Sequence, residues 1–197
     1  QKISSSYGSL TSFYALESGD YFGASCGSMG DLDGDGVGDL VVGAYYDDDG
    51  ASKAGAVYIL MLTTDGLVKS VQKISSSYGS LSSFYTLDSS DYFGASYGSM
   101  GDVDGDGVTD MAVGAYGDDD GESFAGSVYI LFLTTNGVVK SAQKISSSYG
   151  GLSSFYALDS YDMFGNSCGS VSDVNGDGVN DMMVGAPGDD DGGASNT

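Results

Sequence analysis

The nine-residue segment Asp31-Leu32-Asp33-Gly34-Asp35-Gly36-Val37-Gly38-Asp39 carries carboxylates at its first, third, fifth and ninth positions. Carboxylate oxygens at this two-residue spacing in a tight loop are ligands suited to a hard cation. Ca²⁺ takes about six to eight oxygens at roughly 2.3–2.6 Å, and backbone carbonyls contribute as well as carboxylates. Gly36 allows the sharp turn that such a loop needs. The segment therefore predicts a calcium-binding loop to which Val37 contributes its backbone carbonyl.

The same pattern recurs at residues 102–110 and 173–181, at a spacing of 71 residues each time. In the third copy an asparagine replaces one aspartate, and its amide oxygen is still a suitable ligand. About three Ca²⁺ ions, one per copy, are therefore expected. The predicted ligands are Asp31, Asp33, Asp35, Val37 and Asp39 in the first loop, Asp102, Asp104, Asp106, Val108 and Asp110 in the second, and Asp173, Asn175, Asp177, Val179 and Asp181 in the third.

These loops differ from the calcium loop of an EF-hand, which lies between two helices and has a bidentate glutamate at position 12. Position 12 here is Val42, Val113 or Val184, each within an apolar segment. We therefore expect the aspartate at position 9 to complete the ligand set. Strands, and not helices, are expected on both sides of the loop.

The elements that must position the loops are predicted to be short strands. The chain has 33 glycines and one proline, with many aromatic and β-branched residues, which favours strands joined by tight turns. In the first copy we predict strands near 22–29, at 40–44, at 56–62 and at 67–74, with a hairpin turn at 64–66. The calcium loop then connects the first two strands.

The repeat divides the chain into three units, 1–71, 72–142 and 143–197. The third unit is shorter and lacks the counterpart of residues 56–71. The predicted fourth strand crosses the first unit boundary. The sequence thus predicts an all-β fold made of repeated four-stranded units.

Each unit also contains a Phe-Gly pair before the acidic loop and a Gly-Ala-Tyr or Gly-Ala-Pro tripeptide after it. These are Phe22-Gly23 and Gly43-Ala44-Tyr45, Phe93-Gly94 and Gly114-Ala115-Tyr116, and Phe164-Gly165 and Gly185-Ala186-Pro187. The pattern resembles the FG-GAP repeat of the N-terminal β-propellers of integrin α subunits and of the FG-GAP arrays of secreted microbial and algal proteins. The resemblance implies propeller blades with Ca²⁺ in the first hairpin, and an extracellular or cell-surface location.

Fewer than three blades form only an incomplete ring, because propellers generally need about four or more. Three arrangements remain open at this stage. The chain is part of a longer array, several chains complete one ring, or the repeats stack into an open fibre whose strand edges join neighbours. Self-association is therefore expected.

Composition excludes several classes of partner. The formal charge is −22, from 28 acidic residues and six lysines, with no arginine or histidine. Such a surface repels nucleic acid and anionic membranes. Apolar runs such as 57–62 are too short to cross a bilayer, so we expect no membrane insertion.

Other repeated residues have structural interpretations. The Asp-Asp-Asp runs at 47–49, 118–120 and 189–191 are predicted to be solvated loops, with a peripheral cation site or a partner contact as the alternative. The aspartates two residues before each Phe-Gly pair are expected in turns, and the phenylalanines are expected to anchor the core between blades. Cys26 and Cys168 are expected to be small, semi-buried thiols, with a disulfide as the alternative.

The sequence offers little support for catalysis. It has no histidine to act as a general base, and no nucleophile elbow or phosphate-binding loop. We therefore expect a non-enzymatic, calcium-stabilised extracellular structural or adhesive module, part of a larger array, fibre or oligomer. The alternatives are an integrin-like or lectin-like domain that recognises a protein or glycan, and a non-catalytic appendage of a secreted hydrolase.

Overall fold

The computed structural model describes residues 2–4, 6 and 10–190, and these residues form ten strands and three short 3₁₀ helices. No helix in this part of the chain is long and apolar enough to cross a membrane. The helices are Leu10–Ser12, Leu81–Ser83 and Leu152–Ser154. The strands are β1 (Cys26–Gly30), β2 (Asp39–Ala44), β3 (Ala56–Leu62), β4 (Val68–Ile74), β5 (Ser96–Gly101), β6 (Asp110–Ala115), β7 (Ser127–Leu133), β8 (Val139–Ile145), β9 (Ser167–Ser170) and β10 (Met182–Gly185).

The strands form three antiparallel sheets with simple up-and-down connections. Strands β1 to β4 pair in sequence order and form blade 1, and β5 to β8 form blade 2 in the same way. Strands β9 and β10 form the hairpin of blade 3. The all-β prediction with four-stranded blades is thus confirmed, and the described sheets do not close into a ring.

The strand predictions agree best where side chains are apolar. Strand β3 has the predicted bounds, and β4 begins one residue later than predicted. Strand β1 begins at Cys26, and not near residue 22, because a turn precedes it in which the Ala24 amide donates to the Tyr21 carbonyl at 3.1 Å. The division at 71/72 and 142/143 stays a prediction. As expected, β4 crosses the first of these boundaries.

The core lies within the blades and between them. Six of the seven residues of β3 are buried, which is expected for an interior strand covered on both faces. Phe93 joins blade 1 to blade 2, because its amide donates to the Ala54 carbonyl at 2.9 Å and its ring meets Tyr129 edge-on at 5.4 Å. In blade 1, Phe22 packs on Tyr58 at 5.3 Å.

Backbones of neighbouring blades approach closely at Gly55 and Gly126. Gly55 has φ +93°, and a Cβ there would lie 2.1 Å from the Phe93 carbonyl oxygen. Gly126 meets Phe164 in the same way at 2.2 Å. Only glycine satisfies both the positive φ and the close approach, so the same contact is built into both blade junctions.

The two cysteines are free thiols. Cys26 is exposed, whereas Cys168 is partly buried and accepts a hydrogen bond from the Ser96 hydroxyl at 3.2 Å. Burial raises the pKa of the Cys168 thiol. The predicted semi-buried thiol is thus correct for Cys168, which packs against blade 2, and wrong for Cys26, which is exposed.

Candidate cation-binding loops

The first acidic loop connects β1 to β2, as predicted, and its last aspartate is the first residue of β2. Gly34 and Gly36 have φ values of +78° and +87°, which is the left-handed conformation that glycine adopts at little cost. The second loop connects β5 to β6 and the third connects β9 to β10. One hairpin loop therefore carries the acidic motif in each blade.

Hydrogen bonds inside the loop turn its carboxylates inward. The Asp31 carboxylate accepts the amides of Asp35 at 2.9 Å and Gly36 at 2.8 Å. The carboxylate of Asp35 accepts the amide of Val37 at 2.8 Å. These bonds consume backbone donors that would otherwise oppose a cation, and they leave carboxylate oxygens free to bind one.

The other two loops repeat these hydrogen bonds. Asp102 accepts the amides of Asp106 at 3.0 Å and Gly107 at 2.8 Å. Asp173 accepts the amide of Gly178 at 2.8 Å, and this bond holds the pKa of Asp173 below its usual range. The loop conformation is therefore encoded locally, by residues at most five positions apart.

The aspartate at position 9 ties each loop to its sheet. Asp39 is fully buried and accepts the amides of Leu32 and Leu62, both at 3.0 Å. The first amide belongs to the loop and the second to the end of β3, so one carboxylate joins the loop to an interior strand. Asp110 does the same for Leu133 in blade 2, and burial raises its pKa.

The carboxylates of the first two loops converge. Ligand oxygens of Asp31, Asp33 and Asp39 lie within 4.8 Å of one another, as do those of Asp102, Asp104 and Asp106. In the first loop, Asp33 Oδ1 is buried and has no hydrogen-bond partner among the described residues. A buried carboxylate oxygen without a partner is costly unless a cation satisfies it. The residues present thus fit a hard, oxygen-seeking cation.

The third loop has the same shape with less charge. Asn175 takes the place of Asp33, and its side-chain nitrogen donates to Asp177 Oδ2 at 3.1 Å. Asp181 accepts the Val174 amide at 2.7 Å, as its counterparts do. The assignment of individual ligands, including the position-7 carbonyls, stays a prediction for all three loops.

Sequence reasoning missed two lysines that contact the loops. Lys69 Nζ, from β4, lies 2.8 Å from Asp33 Oδ2 and also pairs with Asp35. Lys140, from β8, lies 2.8 Å from Asp104 Oδ2 and pairs with Asp106. The hydrogen bonds that Lys69 donates to the carboxylates of Asp33 and Asp35 raise the pKa of its ammonium group. The only signal in the sequence was that each lysine recurs with the 71-residue period.

The first aspartate is buried in the first two Asp triplets, so the solvated-loop interpretation is wrong for Asp47 and Asp118, whereas Asp189 of the third triplet is exposed as predicted. Asp47 Oδ2 accepts the Tyr58 hydroxyl at 3.0 Å and pairs with Lys73 Nζ at 2.7 Å. Asp48 is exposed, as predicted. Asp118 repeats these contacts in blade 2, and the third triplet extends to residue 191, outside the described residues. Burial follows because the β2–β3 loop folds back over the lysine of β4.

A cavity next to each buried lysine collects further carboxylates. In blade 2 its volume is about 380 Å³, and Asp91, Asp118, Lys144 and Tyr149 are among its lining residues. Asp91 Oδ2 accepts the Asp88 amide at 2.8 Å, which is the turn role expected of it. Burial, and then the negative charge of Asp118, raise the pKa of Asp91 to about 7.

The sequence is similar to a known repeat family and to known proteins. The FG-GAP repeat family matches residues 27–60 and 98–131. Integrin alpha-4 of Xenopus laevis is 33% identical over 173 residues, 85% of this chain and 14% of the relative. Integrin alpha-PS5 of Drosophila melanogaster is 33% identical over 180 residues, 89% of this chain and 16% of the relative. Integrin alpha-E of Homo sapiens is 33% identical over 177 residues, which are 86% of this chain and 14% of the relative.

The fold and loops together define a tandem-repeat protein of antiparallel four-stranded blades, each with an acidic loop in its first hairpin. With the family match and the similarity to integrin α subunits over most of its length, the chain is an FG-GAP repeat protein. It spans 14% to 16% of the length of the first two of these relatives. The similarity therefore concerns the repeat module and not the whole of those proteins.

We expect Asp39→Ala to destabilise the protein even when a chelator is present. It leaves the amides of Leu32 and Leu62 without their acceptor, which costs about 2 kcal/mol or more. Asp35→Ala is the matched control, because Asp35 is exposed and its pair with Lys69 contributes little in solvent. Urea unfolding in EGTA measures both variants, and an equal loss in the two would contradict the structural role of Asp39.

Asp91→Asn is expected to change the pH dependence of stability. A carboxyl whose pKa is raised by folding stabilises the protein below about pH 4, and this contribution is lost as pH rises through about 7. The asparagine variant does not have this loss, so from pH 5 to pH 8 it should gain up to about 3 kcal/mol relative to the wild type. Thermal melts across this range, with Asp65→Asn in an exposed turn as the control, measure the difference. Parallel pH profiles for all three proteins would refute the assignment.

Proposed function

We propose that the chain is a calcium-stabilised, non-enzymatic adhesion or recognition module that acts outside the cell. About three Ca²⁺ ions bind, one in each hairpin loop. The observation that carries the proposal is the buried, unpartnered oxygen of Asp33 among the converging carboxylates of the first loop. The proposed ligands are Asp31, Asp33, Asp35, Val37 and Asp39, with Asp102, Asp104, Asp106, Val108 and Asp110, and Asp173, Asn175, Asp177, Val179 and Asp181.

The proposed role of the cation is structural. Asp31 is already held by loop amides, and Asp39 already joins the loop to β3. Neutralising the remaining carboxylates of the loop then stabilises the β1–β2 hairpin and, through Asp39, the interior of the blade. Three divalent cations would also change the formal charge from −22 to about −16, which lowers the self-repulsion of the folded chain.

Removal of the cation is expected to lower the melting temperature of the wild type. Clustered carboxylates repel one another without a counter-ion, and extracellular modules bind Ca²⁺ with dissociation constants of about 10⁻⁴–10⁻³ M. Titration calorimetry should find about three sites, and EGTA should lower the melting temperature by several degrees. Asp33→Asn should weaken one site only. A melting temperature that is the same in Ca²⁺ and in EGTA would refute the proposal.

A row of aromatic side chains favours recognition of a partner within this module. Tyr92 stacks on Tyr116 at 4.9 Å and on Tyr46 at 5.3 Å, so the row crosses from blade 1 to blade 2. Tyr21 extends the row from Tyr46 at 4.8 Å, and Tyr161 extends it from Tyr92 through Phe124. These two end residues are each 59% exposed. Rigid, partly exposed tyrosines are the side chains that interfaces favour. The similarity to integrin α subunits makes a protein partner the first candidate and a glycan the second.

The Tyr21→Ala/Tyr161→Ala variant tests this surface. A screen of the wild type against immobilised extracellular proteins and glycans should find a partner whose binding falls at least tenfold in the variant. Tyr156→Ala is the matched control, because Tyr156 is 65% exposed and has no ring contact with the row. Binding that is lost equally in the control, or unaffected in both, would remove the row from the site. Self-association into an array or fibre stays a prediction that electron microscopy tests.

A further inference from the structure

We propose that Lys69 and Lys140 are built-in competitors of the cation in the first and second loops, and that they set its affinity there. The inference rests on the proposed function, because it concerns the same carboxylates. It goes further in assigning a role to two side chains outside the loops. Each lysine is on the last strand of its blade, β4 or β8, and contacts the loop between the first two strands.

The contacts of the two lysines are equivalent. Lys69 holds Asp33 and Asp35, the third and fifth positions of the first loop. Lys140 holds Asp104 and Asp106, the same positions of the second loop. Both ammonium groups therefore contact carboxylates of the predicted ligand set, in each case through Oδ2, and Oδ1 of Asp33 keeps no partner among the described residues.

The lysines are well placed to stay near the loops. Val68 and Val139, the residues before them, are 5% and 2% exposed, so the backbone of each strand is held by the core. The lysine side chains are themselves only 27% and 25% exposed. An anchored strand gives the ammonium group a high effective concentration at the loop. Because the lysine belongs to the same chain as the loop, it competes with the cation at every cation concentration.

Ammonium and a divalent cation compete for two reasons. A carboxylate oxygen that accepts a hydrogen bond from Nζ offers less electron density to a second cation. In addition, two positive charges about 4 Å apart repel even in a water-like medium. A lysine that stays weakens binding, and a lysine that leaves gives up two ion pairs. In both cases the apparent affinity falls, and we expect a factor of about ten or more.

The third loop differs from the first two in its number of aspartates. The first loop has four aspartates and one lysine contact, and the second loop has the same. The third loop has three aspartates and Asn175, and no lysine pairs with it among the described residues. Asn175 donates to Asp177 as the lysines donate to the matching residues.

Calcium titration of charge-matched variants tests the inference. We expect Lys69→Met to bind Ca²⁺ about tenfold more tightly at one site, and Lys140→Met at another. Lys53→Met removes the same charge from a side chain that lies over the Tyr46 ring, away from the loops, and should bind as the wild type does. Lys69→Arg keeps the ion pairs and should also retain wild-type affinity. Lys69→Gln is a second neutral variant if the methionine variant fails to fold.

The outcomes separate this inference from the proposed function. If the wild type binds Ca²⁺ and Lys69→Met binds with the affinity of Lys53→Met, the lysine is an ordinary surface ion pair and the inference is wrong. If neither the wild type nor the lysine variants bind at millimolar Ca²⁺, both proposals fail. If Lys69→Met binds where the wild type does not, the competitor role is established. Melting in EGTA gives the cost of losing the ion pair itself.

Discussion

An excess of carboxylates over cations is the constraint on which this structure depends. The chain has 28 acidic residues and six lysines, and the acidic residues are concentrated at repeated positions. Four lysines, at positions 69, 73, 140 and 144, each contact two aspartates. Two of these contacts are buried at the base of the β2–β3 loops and two are at the hairpin loops. The loops retain more negative charge than the lysines neutralise, which is the physical reason for the cation that we propose there.

Backbone amides also satisfy the carboxylates of the hairpin loops. In each hairpin loop the first aspartate accepts amides of the loop, and the last accepts an amide at the loop's start. In blades 1 and 2 the last aspartate also accepts an amide from the third strand. Local hydrogen bonds therefore form the loop, and in blades 1 and 2 one non-local hydrogen bond connects it to the third strand. The proposed cation would stabilise a hairpin whose conformation these hydrogen bonds already fix.

Because the sequence repeats, the contact between blades 1 and 2 and the contact between blades 2 and 3 have the same geometry. Gly55 and Gly126 receive the next blade at the same point, and Phe93 and Phe164 donate to the preceding blade there. The junction is made by backbone atoms, so side chains around it can vary between copies. Tyr97 is the counterpart of Cys26 and Cys168 in blade 2. Its hydroxyl donates a hydrogen bond to the Ser28 carbonyl of blade 1 at 2.8 Å. Each blade thus contacts its neighbour through the same geometry, as in other repeat proteins.

The sequence by itself determined the features that depend on short-range pattern. Ligand spacing, glycine positions and alternation placed the loops, the strand β3 and the repeat, because these are set by residues a few positions apart. Only the tertiary structure decided that Asp47 is buried and that Lys69 lies on the first loop. Those contacts join residues 26 to 36 positions apart, and they exist because the fourth strand of a blade folds back beside the first hairpin. A local sequence pattern does not predict which lysine pairs with which carboxylate, since the pairing depends on how the strands pack.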